Sequence, residues 1–215
     1  MAELTVKRTA AIRTGVRLEV LTVGWMAVEA VLAIGAGVAA GSVLLVAFGA
    51  DSVIELLSGA TLLWRLQRES RGGSLETVET AERGAVRVSA VLLSLLCVYV
   101  LVSSLAGLLV GIHPARSWPG LAVAAAALVL MPLLAWRKRV VNQTLGSPAL
   151  RADIAESACC AYLAAVTLAG VAVDALTGWW WVEYVAAFGL LRWLLPEARE
   201  AIEAAREGRT YISCD

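Results

Sequence analysis

Asp51 and Glu55 lie in the middle of a long apolar run, residues 41–64, GSVLLVAFGADSVIELLSGATLLW. A carboxylate at the centre of a bilayer costs about 3 kcal/mol on insertion scales, so such groups mark ion or proton pathways by default. Four residues apart on a helix, the two share one face. Ionised and unpaired they repel each other, so the pair invites a cation between them. The bland alternative is a structural pair bonded to Ser52, Ser58 or an arginine. A second cluster follows in residues 147–166, SPALRADIAESACCAYLAAV. Asp153, Glu156 and Cys160 stand at i, i+3 and i+7, which is one stripe of a helix. If the two stretches pack together, up to four or five oxygen and sulfur ligands converge. Such a set suits a divalent transition metal: a tetrahedral O/S site fits zinc, and added carboxylates and water admit manganese or iron. Asp153 also fits a cap or ion-pair role beside Arg151. Cys160 also fits as a small buried hydrophobe, and its neighbour Cys159 points elsewhere and packs.

The remaining polar residues carry weaker signals. Glu29, midway along the first apolar stretch, fits a secondary cation or proton site as well as a helix–helix hydrogen bond. Asp174 and Glu183 flank the last outer loop and are expected to be solvated. His113, the only histidine, falls in an outer loop and is expected to be incidental. Gly35, Gly37 and Gly41 read as close-packing positions. Cys97, Cys159, Cys160 and Cys214 form no CxxC pair and no disulfide framework. There is no HExxH motif and no Ser–His pair within the apolar stretches, so no enzyme and no prosthetic group are expected.

These residues need a membrane-embedded scaffold to position them. The 215-residue chain is 60% hydrophobic and only 17% charged, where soluble domains average about 25% charged. Its formal net charge is zero, which points away from nucleic acid as a partner. A span needs about 20 mostly apolar residues. Six stretches qualify: 18–40, 42–64, 85–111, 119–136, 149–173 and 181–197. The expected fold is an all-α integral membrane protein of six transmembrane helices. A short N-terminal segment (1–17) precedes the helical domain (18–197), and a short charged helix and tail (198–215) follow it. Residues 65–82 read as a polar loop. Lys and Arg concentrate before the first span, between the second and third, after the fourth and after the sixth. The opposite loops hold Arg116 alone. The positive-inside rule therefore places both termini in the cytoplasm, with Trp118 and the Trp179–Trp181 run at the outer interface.

The second span resembles the second transmembrane helix of the cation diffusion facilitators, where an Asp and an acidic residue four positions on form half of a transport site. The segment LRADIAESACCAYLAAVTLAG resembles the fifth helix, where His and Asp complete it. Glu156 falls on the His position and Cys160 on the Asp position. GWWW with Glu183 resembles the start of the sixth helix. The resemblance covers about residues 16–200. It implies a cation-diffusion-facilitator-like bundle and a homodimer that exports a divalent cation in exchange for protons across a bacterial-type inner (plasma) membrane. Zinc is the first expectation, with manganese, iron, cobalt or cadmium as others. The implied ligands are Asp51, Glu55, Glu156 and Cys160, with Asp153 as a possible extra one. The family's usual cytoplasmic metallochaperone-like domain has no counterpart in this sequence, which is expected of a short branch. The runner-up is a membrane metal-binding or regulatory protein that keeps this fold without transporting.

Overall fold

The computed structural model describes residues 2–71 and 76–210. Six helices follow one another: α1 (Ala2–Ala40), α2 (Val43–Ser70), α3 (Glu76–Val110), α4 (Trp118–Leu145), α5 (Pro148–Thr177) and α6 (Trp181–Glu207). The turns have local chemical causes. Gly41 takes a left-handed φ of +67°, a conformation that only glycine adopts without penalty. Ser42 then caps α2, its hydroxyl accepting the Leu45 amide at 3.1 Å, which satisfies one of the amides a helix start leaves orphaned. The same device opens α4, where Ser117 accepts the Gly120 amide, and α5, where Ser147 accepts that of Leu150. Asn142 brackets the α4–α5 turn, accepting the Ser147 amide at 2.8 Å and donating to the Ser147 carbonyl at 3.2 Å.

The first two helices form a tight hairpin. A methyl group on Gly37 would sit 2.7 Å from the Val46 amide nitrogen, so glycine is what lets α1 and α2 approach. Gly35 has open space around it and is not a packing position. The bundle is organised around α2, which packs against α1, α3, α5 and α6. Helix α3 lies along α6, α4 along α5, and α1 also touches α4.

Polarity is arranged inside out. Leu21, Val31, Val38, Leu109 and Leu176 are exposed, whereas Glu19, Glu29, Asp51, Glu55, Lys138, Asp153 and Glu156 are buried. Apolar side chains outside and paired polar ones inside are what a lipid environment requires. Among the described residues, five helices are long and apolar enough to cross a membrane. The sixth, α6, is as long but carries Glu183, Arg192 and Glu197 along its apolar part, and it is held by packing on α3 and α5.

Three sequence expectations change. Residues 65–70 and 76–82 are helical rather than loop: α2 runs on to Ser70 and α3 begins at Glu76, and Arg65 meets Glu82 at 2.6 Å to tie the two extensions together. The N-terminal segment is helical from Ala2, continuous with the first span. The charged tail is no separate helix, because α6 passes through Pro196 and ends only at Glu207, capped by left-handed Gly208. Cys214 falls outside the described residues.

Candidate functional site

The two stripes expected from the sequence both face the interior. Asp51 and Glu55 on α2 are 3% and 4% exposed, and Glu156 and Cys160 on α5 are 5% and 1% exposed. Helices α2 and α5 pack directly, and one hydrogen bond registers them. Ser58, one turn beyond Glu55, donates to Glu156 Oε1 at 3.1 Å. Glu55 has Asp51, Glu156 and Glu29 within electrostatic range, and Cys160 is within electrostatic range of Glu55, Glu29 and Asp51. The four expected ligands therefore belong to one acidic core.

Within it, Glu55 stands apart. Neither of its carboxylate oxygens has a hydrogen-bond partner among the described residues, although both are buried. A buried carboxylate without partners is among the most expensive groups a protein holds. Its neighbours are acidic, so they add to the cost. A cation in the core relieves both penalties at once. As the chain stands, no three His, Cys, Asp or Glu side chains among the described residues lie close enough to enclose an ion.

Asp153 is engaged differently. Lys138 of α4 reaches it at 2.6 Å and also meets Glu19 of α1 at 2.9 Å. All three are buried, so Asp153 faces an ammonium group rather than an open coordination position. Lys138 had counted among the basic residues that follow the fourth span. Its burial shows a different role, an ion-paired tie between α1, α4 and α5. The signal in the sequence was Glu19, an acidic residue just inside the first span with no other assigned work.

Glu29 also resolves. It is fully buried on α1 and accepts hydrogen bonds from Trp25 Nε1 at 2.5 Å and Ser52 Oγ at 2.6 Å. Cys160 Sγ donates to it at 3.5 Å. Glu197 of α6 closes the expected sixth span and carried no assigned role. It lies within electrostatic range of Asp51, Glu55 and Glu156.

The outer end is also less wet than expected. Asp174 and Glu183 are buried rather than solvated. Glu183 lies beside Ser42 and Leu44 at the start of α2. His113 stacks on Trp180 with ring centroids 4.7 Å apart. The cysteines Cys97, Cys159 and Cys160 are free and buried.

An all-helical membrane bundle with lipid-facing apolar side chains and a carboxylate-rich core has the build of a cation carrier. Residues 20–205 match the cation efflux transmembrane domain, and the chain belongs to that family, the cation diffusion facilitators. It is a multi-pass integral membrane protein of metal cation transport. No curated protein matches the chain in a sequence comparison.

Proposed function

We propose that this protein exports a divalent transition metal, zinc first, from the cytoplasm in exchange for protons. Asp51 and Glu55 of α2 and Glu156 and Cys160 of α5 take the ion as substrate. The observation that carries the reading is the buried carboxylate of Glu55, beside Asp51 and Glu156, with no hydrogen-bond partner among the described residues. Such a group is unstable without a cation or a proton, and a carrier needs both occupants in turn. Carboxylates and thiolate bind metal only when deprotonated, so metal and protons compete for the core. The metal enters from the cytoplasm, the helices rock to open the core outward, and protons arriving there release the metal. The basic residues at the helix ends support cytoplasmic termini. The mixed oxygen and sulfur donors favour zinc, cobalt and cadmium over manganese. The resemblance to the family supports a homodimer in a bacterial-type inner membrane.

The test is a metal panel in proteoliposomes carrying an internal pH dye. Zinc flux accompanied by opposite proton movement is the expected result. Metal binding with no flux for any ion would leave a non-transporting membrane metal-binding protein in its place.

A further inference from the structure

Glu29 lies outside the four ligands proposed above, on a different helix. It is fully buried. Trp25 holds Oε2 from within α1, and Ser52 of α2 holds Oε1. These two donors would satisfy a carboxylate whose only work is to join helices. The third contact, from Cys160 Sγ on α5 to the same Oε1 at 3.5 Å, is a thiol hydrogen bond whose length also suits a shared metal. Zinc binds carboxylate oxygen at about 2.0 Å and thiolate sulfur at about 2.3 Å, and at a tetrahedral angle these two ligands stand about 3.5 Å apart. The Glu29–Cys160 separation matches the edge of such a site. A metal can replace the thiol proton there without the two groups changing their distance.

Glu55 gives an independent pointer. Its two buried oxygens lack partners among the described residues, and it stands within electrostatic range of both Cys160 and Glu29. Asp51 is in range of Glu29 as well. We propose that Glu29 is a further metal ligand, supplied by α1, that shares one edge of the coordination shell with Cys160. The inference rests on the reading of this core as the transport site. It makes the site a junction of three helices with five candidate donors, of which a tetrahedral ion takes four at a time. The substrate class it fits is a borderline divalent ion taking mixed O/S ligands, such as zinc or cobalt.

Cobalt(II) is the probe, added to the purified full-length chain in detergent micelles. The thiolate-to-cobalt charge-transfer band reports Cys160, and the visible ligand-field bands report the other donors. Glu29→Gln keeps the size of the side chain but loses the carboxylate. It is expected to lower cobalt affinity at least tenfold and to shift both sets of bands. Glu29→Asp is expected to recover part of the affinity with altered ligand-field bands, and it serves if Glu29→Gln fails to fold. Cys159→Ser, about 100° round the helix from Cys160, is the control, and its cobalt affinity and spectrum are expected to stay native. Native affinity and spectrum in Glu29→Gln, or in Glu29→Asp where only that variant folds, overturn the inference. If Asp51→Asn loses cobalt at the same time, the transport-site reading survives that result. Native cobalt binding in Asp51→Asn as well overturns both.

Discussion

Lys138 Nζ stands 2.6 Å from an Asp153 carboxylate oxygen, three residues before Glu156, and 2.9 Å from Glu19. One buried ammonium thus joins α4 to both α5 and α1. The triad sits beside the acidic core, within electrostatic range of Glu156 through Asp153 and Lys138. Removing one partner from a buried ion pair leaves an uncompensated charge and costs about 3–5 kcal/mol. Lys138→Met should therefore lower thermal stability in detergent sharply. The triple change Lys138→Met, Glu19→Gln and Asp153→Asn should regain much of it. A Lys138→Met protein that melts with the native one would show that the triad does not hold the helices. Asp153→Asn alone should reduce stability more than metal affinity.

Glu55 should show function and stability in opposition. Its buried oxygens have no partners among the described residues, so an apolar side chain of similar size removes a penalty rather than a contact. Glu55→Met is expected to raise the melting temperature of the metal-free protein while abolishing transport. Asp51→Asn should also abolish transport with the protein still folded and inserted. Native transport rates in either variant would remove that residue from the site, and a destabilised Glu55→Met would mean that the carboxylate has structural work.

Cys160 should set selectivity. Sulfur favours soft and borderline ions, so Cys160→Ser should weaken zinc and cadmium binding more than manganese binding. Cys159 is also buried but lies about 100° round the helix, and Cys159→Ser is expected to leave the metal order unchanged. Titration of each variant with the three metals separates the outcomes. Equal losses for all of them in Cys160→Ser would reduce Cys160 to a packing role.

The pH dependence follows from competition between metal and protons. Deprotonated ligands bind the ion, so apparent affinity should fall as pH falls, roughly tenfold per unit for each proton displaced. Zinc uptake into inverted vesicles should accordingly speed up when their lumen is acidified, because protons there release the metal. Ser58 donates to Glu156, and Glu156→Gln is expected to remove much of this dependence even if some binding survives. Flux through the native protein that ignores a pH gradient at fixed membrane potential would leave a uniporter.

Much of the membrane architecture was legible in the sequence because lipid imposes a simple rule. Backbone groups must be satisfied within each span, so long apolar runs become helices, whereas Gly41, read as a close-packing position, serves the turn through its left-handed φ. The inward stripes of α2 and α5 were legible for the same reason. A carboxylate at i and i+4 in an apolar run has few tolerable places except a polar interior.

Helix ends were less legible, since charged residues such as Arg65 and Glu82 extend α2 and α3 once each finds the other across the bundle. Pairings between distant segments were not legible at all. Lys138 looks like any basic residue at a membrane edge until α1 and α5 place Glu19 and Asp153 around it. Glu183 looks solvated until α2 begins beside it. Glu29 offers two readings until its distance to Cys160 is known. One-dimensional periodicity determines which face of a helix a residue occupies. Only packing decides which other helix that face meets, and so whether a buried charge becomes a tie between helices or a place for an ion.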